Sequence, residues 1–173
     1  MEIHNNPYFQ VLQNNDFYEI RFPANHTIII PVLNLDSVVM IRAKRPILGK
    51  SIIEFPAGNI DTNESAEECA KRELGEETGI IITDKSRFVK LPEMNPLPAR
   101  TKNLIIPYFI KINQNEYNSK KQHDNEVSEV FTVKIDEVYK MINNGSLFVS
   151  SHIAAFFIYT IHENKLLYKP DYI

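Results

Sequence analysis

In the first third of the chain, apolar residues fall in short runs dense in β-branched and aromatic side chains, at positions 17–22, 27–33, 37–42 and 52–55. Asn-Asn, Pro-Ala-Asn, Asn-Leu-Asp and Pro-Ile-Leu-Gly-Lys segments divide them, so they read as successive strands joined by turns. The pattern then changes. Ser65 and Glu68 stand at capping-box spacing and Gly79 is placed to end a helix in the left-handed conformation, which predicts a glutamate-rich helix between them. A strand near residues 88–91 follows, then a loop carrying Pro92, Pro96 and Pro98, then an apolar run over 103–112. Pro107 within that run predicts an edge strand or a bulge. Residues 126–133 read as a strand, 136–143 as a helix stopped by Asn144-Gly145, and 151–164 as an apolar final helix. Strands mixed with three helices predict an α/β domain whose sheet is covered on both faces.

Composition narrows the class. A chain of 173 residues with 43% hydrophobic and 24% charged residues is long enough for one packed core and too apolar to be disordered. Residues 1–35 read as a strand extension and 36–173 as the core of one domain. Lys plus Arg is 19 against 22 Asp plus Glu, a formal charge of −3, which offers no basic field for nucleic acid or an anionic membrane. The lone cysteine, Cys69, closes no intrachain disulfide and builds no four-thiolate zinc site, which fits a reducing compartment. Residues 1–9 lack the apolar stretch of a secretory leader, and the apolar runs 26–33 and 151–162 fall short of the roughly 20 residues a membrane helix needs. The reading is a cytoplasmic protein.

The strongest chemistry lies between Gly58 and Ile80. At about 100° per residue, Glu73, Glu76 and Glu77 share one side of the helix with the small residues Ala66, Cys69 and Ala70, while Glu67, Glu68, Lys71 and Arg72 point elsewhere and look solvated. A glutamate-rich helix often has no more than a wet acidic face. Here the carboxylates share the side suited to close packing, where an unpaired charge is costly or becomes neutral. That arrangement calls for a positive partner. All-oxygen donors without nearby His or Cys suit a hard divalent ion, Mg²⁺ or Mn²⁺, better than zinc.

The run from Gly58 through Glu64, Arg72-Glu73-Leu74 and Glu76-Glu77 to Gly79-Ile80 resembles the Nudix hydrolase signature at every defined position. The resemblance implies a Nudix fold, a mixed sheet sandwiched between helices, and metal-dependent hydrolysis of a nucleoside diphosphate linked to another moiety. It implies metal ligation by Glu73, Glu76, Glu77 and the backbone carbonyl of Ala57, with Glu64 and Arg72 bracing the loop against the helix. Gly58 is expected to permit a tight turn.

The flanking residues resemble the ADP-ribose pyrophosphatase branch. A strand ends in Arg45, and Glu54-Phe55-Pro56-Ala57-Gly58 follows, with Pro96 downstream. That likeness makes Arg45 and Arg100 candidate phosphate contacts and Glu54 a contact to the nucleoside or terminal ribose. Glu126 is the first choice, with Glu76 beside it, for the carboxylate chemistry at the attacking water; Asp124 and Glu129 are close enough in sequence to replace Glu126, and His123 is a further candidate base. The branch also implies a homodimer formed through the N-terminal strands, with Tyr8, Phe9, Phe17 and Tyr18 as possible base-stacking groups. Nucleotide sugars, dinucleoside polyphosphates, nucleoside triphosphates and a non-catalytic ADP-ribose-binding module remain as alternatives to hydrolysis of ADP-ribose.

Overall fold

The computed structural model describes residues 1–164. The last stretch of the expected core, residues 165–173, lies outside the described residues. Three strands, β1 (Glu2–Asn5), β2 (Gln10–Asn14) and β3 (Phe17–Arg21), form a small antiparallel sheet in that order. The larger sheet holds β4 (His26–Leu33), β5 (Ser37–Arg45), β6 (Lys50–Glu54), β7 (Ala57–Asn59), β8 (Val89–Lys90), β9 (Ile105–Ile112) and β10 (Val127–Lys134). Its main order is β10-β5-β4-β9-β8, with β6 beside β5 and β7 beside β4. The helices are α1 (Ala66–Thr78), α2 (Gln114–Asn118), α3 (Ile135–Asn143) and α4 (Ser150–His162).

β4 is apolar at nearly every position because it is covered on both faces. Ile28, Ile30 and Val32 join Phe109, Val138, Phe156 and Tyr159 in the core under α3 and α4. Ile29 and Leu33 join Ala70, Leu74 and Ile110 under α1. The result is the expected mixed sheet between helical layers, with the N-terminal sheet beside it. The second sheet begins at β4, so the small sheet ends at Arg21 and does not reach residue 35. It is fastened to the core: Ile20 N–H donates to Arg100 O at 2.6 Å, and Asn103 Nδ2 donates to Phe22 O and Ala24 O.

Two further expectations need correction. β9 is an interior strand, parallel to β4 and antiparallel to β8. Pro107 is tolerated because its carbonyl accepts from Leu91 just where β8 ends, so its ring nitrogen forgoes only the return bond of that last pair. α2 was not expected; Asn113 and Glu116 form a full capping box around it.

The site depends on how β4 and β5 diverge. They pair only at their hairpin, Val32 with Val38 and Leu33 with Ser37. Beyond it β6 takes the open edge of β5 and β7 the open edge of β4. The Phe55-Pro56 connection crosses between them and delivers Ala57 to α1. No helix among the described residues is long and apolar enough to cross a membrane.

Candidate active site

The local sequence explains why α1 is anchored at both ends. The Ser65 hydroxyl accepts from Glu68 N–H and the Glu68 carboxylate returns the bond to Ser65 N–H, while Gly79, at φ 74°, caps the far end. In the β4–β7 pair, Thr27 faces Gly58 and Ile28 faces Ala57. The backbone groups of Ala57 and Asn59 turn away from β4 toward α1. Ala57 N–H donates to Glu77 Oε2 at 2.7 Å, and Asn59 O accepts from Arg72 Nη2 at 3.1 Å. In extended backbone the N–H and C=O of one residue share a side, so the Ala57 carbonyl also opens toward α1. Gly58 lies within β7, with no left-handed turn. It is glycine for another reason: a Cβ there would stand 1.8 Å from Glu73 Oε1.

Arg72 is the positive partner of this cluster, which corrects its placement on the solvated side of the helix. Its guanidinium donates to Glu64 Oε1 at 2.6 Å, Glu73 Oε1 at 2.7 Å and Glu76 Oε2 at 3.0 Å. The Arg72 hydrogen bond holds the Glu64 carboxyl below the usual carboxylate range. Glu73 and Glu77 behave differently. Burial raises the pKa of Glu73, and burial pushes Glu77, only 6% exposed, up to about 8, with the nearby Glu73 and Asp124 charges adding to the rise. Glu76 is not on the packed side; its side chain is 52% exposed.

Among the described residues, no three His, Cys, Asp or Glu side chains already converge as a ligand shell. Glu77 faces Ala57 N–H, whereas Glu73 and Glu76 face Arg72. The donor chemistry nonetheless fits a hard divalent cation. It is all oxygen, and it includes two carboxylates that burial disfavours as lone anions.

Arg45 and Glu54 meet each other, with Arg45 Nη2 to Glu54 Oε2 at 2.5 Å and Glu54 buried at 4% exposure. Burial disfavours the Arg45 charge, but the Glu54 hydrogen bond and the fields of Glu54, Glu77 and Glu126 outweigh it and raise its pKa. Arg45 therefore links the glutamate cluster to the start of β10. Of the three carboxylates near there, Glu129 bonds Arg42 at 3.0 Å and Asp124 accepts from the N–H groups of Glu126 and Val127. Glu126 is exposed. The ring of His123 hydrogen-bonds the Asp124 carbonyl at 2.9 Å.

Arg100 lies elsewhere. It donates to Ala99 O and lines a hollow with Phe17, Tyr18 and Lys102 of the N-terminal side. A separate cleft of about 550 Å³ runs from Tyr8 and Phe22 past His26 and Asn59 to Pro96. Sequence reasoning missed His152 altogether. It sits in the apolar α4, is buried, and accepts a hydrogen bond from Phe55 N–H at 3.0 Å. A histidine at the head of a mostly apolar helix was the available signal.

The NUDIX domain model matches residues 23–150. The chain belongs to the Nudix family. It is 32% identical over 122 residues to an uncharacterised Nudix hydrolase of Schizosaccharomyces pombe, covering 68% of this chain and 60% of that protein. It is 26% identical over 127 residues to the methanol dehydrogenase activator of Bacillus methanolicus, covering 73% of this chain and 67% of the relative. It is 25% identical over 121 residues to the ADP-ribose pyrophosphatase of Bacillus subtilis, covering 69% of this chain and 63% of the relative. Among solved structures, that of an ADP compounds hydrolase superposes with TM-score 0.68 at 16% identity, covering 96% of this chain and 94% of that one. This last likeness concerns the fold.

The Nudix cluster carries a pH signature. Folded, Glu77 keeps its proton up to about pH 8; unfolded, it releases it near 4.5. Between these values the folded state binds more protons, so stability falls as pH rises through the folded pKa, and the loss is complete by about pH 9. His26 and His152 are lowered from 6.5 and have the opposite sign, but their contribution is level above about pH 7. In EDTA, raising the pH from about 7 to 9 is expected to cost about 1 kcal/mol, or about 2–4 °C in unfolding midpoint. Thermal melts read it, and a Glu77→Gln variant that retains the same decline refutes the assignment.

Proposed function

We propose that this Nudix domain hydrolyses the pyrophosphate bond of a nucleoside diphosphate linked to another moiety, with ADP-ribose, giving AMP and ribose 5-phosphate, as its preferred substrate. The observation that carries this reading is the carboxylate cluster on α1, with Glu77 held against the backbone of β7 and the Arg45 charge favoured by the fields of Glu77 and Glu126. The name of the Bacillus subtilis relative supports the substrate class.

Glu73, Glu76, Glu77 and the Ala57 carbonyl would hold Mg²⁺ or Mn²⁺. When bound, such an ion offsets diphosphate charge and lowers the pKa of water. The chain supplies the rest. Arg45, kept charged by its acidic neighbours, orients a diphosphate oxygen. Glu126, exposed where β10 starts, takes the proton as water attacks phosphorus and the bridging P–O bond breaks. Glu54 fixes Arg45. Aromatic residues left exposed on the N-terminal sheet, Phe17 and Tyr18 among them, support association as a homodimer.

The test is a panel of ADP-ribose, nucleotide sugars, dinucleoside polyphosphates and nucleoside triphosphates with Mg²⁺ and with EDTA, on samples whose mass is read by light scattering. Expected are release of AMP from ADP-ribose with Mg²⁺, none with EDTA, and a dimer mass. Preference for another arm of the panel moves the substrate assignment, and turnover undiminished by EDTA overturns the metal assignment.

A further inference from the structure

The connection from β6 to β7 is held by three different layers in three consecutive residues. Phe55 N–H donates to His152 Nδ1 on α4 at 3.0 Å. Pro56 O accepts from Ile29 N–H on β4 at 2.8 Å. Ala57 N–H donates to Glu77 on α1 at 2.7 Å. Phe55 follows the last residue of β6, so its N–H lies beyond the strand ladder. Leaving that buried donor unpaired would be costly. The acceptor comes from across the core.

We propose that His152 is a positioning residue of the hydrolytic site, fixing the Glu54-to-Gly58 connection so that the Arg45–Glu54 pair and the Ala57 backbone stand in register with the α1 glutamates. Accepting at Nδ1 requires the tautomer with its proton on Nε2. The Phe55 N–H selects that tautomer, and the environment keeps the ring neutral. His152 is 4% exposed, and burial, reinforced by the nearby His26 and Arg45 charges, pushes its pKa down to about 3. The imidazole also lies nearly parallel to Phe55, with ring centroids 6.4 Å apart, and Phe55 in turn stacks on Phe156. Both the bond and the stack restrain the same residue. His152 falls outside the span matched by the family model, so this support comes from an element beyond the signature.

The inference rests on the proposed pyrophosphatase reading, and its test separates the two. His152→Phe keeps an aromatic ring and removes the acceptor; His152→Asn places an oxygen close to where Nδ1 lies and removes the ring. Assayed well below each unfolding midpoint, His152→Phe is expected to lower kcat by about 10- to 100-fold with KM changed by less than about threefold. His152→Asn is expected to recover most of the loss. A purely structural role would move the midpoint and leave kcat per folded molecule unchanged. Wild-type kcat, to within about twofold, in His152→Phe overturns the proposal, as does equal impairment of the Phe and Asn variants.

The second readout needs no substrate. In the ¹⁵N spectrum of the wild-type protein, His152 is expected as the Nε2–H tautomer, untitrated down to pH 5, with the Phe55 and Ala57 amides protected from exchange. An Nδ1–H tautomer, or titration near 6.5, overturns the proposal even if His152→Phe fails to fold. Should the wild-type enzyme hydrolyse nothing on the panel, the functional reading fails, and the spectrum still decides whether His152 holds the connection.

Discussion

Glu77→Gln is expected to lower kcat by about 10³-fold at saturating substrate and Mg²⁺, because losing several kcal/mol of charge stabilisation at about 1.4 kcal/mol per decade amounts to that factor. The substitution isolates charge from shape. Glutamine keeps the side-chain length and an oxygen that can still accept from Ala57 N–H, so the contact between α1 and β7 survives. What disappears is the anion. Since Glu77 is buried at 6% exposure and burial already disfavours its charge, the variant is expected to melt no lower than the parent in EDTA. A variant within about tenfold of wild-type turnover would remove Glu77 from the reacting centre. A variant that loses both turnover and folding would show instead that the carboxylate is structural.

Gly79→Ala is expected to have the largest effect on stability, about 3 kcal/mol, or a drop of about 6–12 °C in unfolding midpoint for a chain of this size. Two penalties add. The residue sits at φ 74°, where a side chain costs about 1–2 kcal/mol. A Cβ there would also stand 2.0 Å from the backbone oxygen of Lys121, so the loop must move. That loop is laced to the end of α1, with Lys121 N–H donating to Gly79 O and Asp124 N–H donating to Glu76 O, each at 2.8 Å. Displacing it shifts Asp124, whose charge acts on Glu77, and with it the neighbouring Glu126, so activity should fall along with stability. Gly145→Ala is the control. Gly145 has a similar φ of 76° with nothing within 4 Å of a built Cβ, so it should cost only the backbone term of about 1 kcal/mol. Equal melting losses for the two variants would refute the clash with Lys121.

The helix that carries the chemistry was legible because its information is local. Ser65, Glu68 and Gly79 mark its ends by rules that involve only near neighbours, and the observed helix runs Ala66–Thr78. The Glu64–Arg72 contact was also expected, and the structure contains it. What the helical wheel could not show is reach. Arg72 leaves its own face and bends back to Glu73 and Glu76, because a long guanidinium arm is not confined to the direction of its Cβ. Gly58 was read as a turn residue, yet its lack of a side chain makes room for Glu73, a contact between two elements. Likewise Pro107 could not be placed at the end of a pairing partner without knowing that β8 is two residues long. His152 was the largest omission. Its role exists only because α4 packs over the gap between β6 and β7, a juxtaposition of residues 97 apart in sequence.

The pairing of β4 with β9 also bears on how the chain reaches this state. The two strands run parallel over eight residues, from His26–Ile105 to Leu33–Ile112, so the whole of β5 through β8 and α1 must be made before β9 can dock. Contacts so remote in sequence form slowly, since a long loop must close before they return any free energy. A nascent chain that has emerged only through α1 carries the complete glutamate motif and an apolar β4 with one edge open. During synthesis this Nudix domain is therefore born with its chemistry encoded and its scaffold unfinished, and that interval is when chaperone capture or self-association competes with folding.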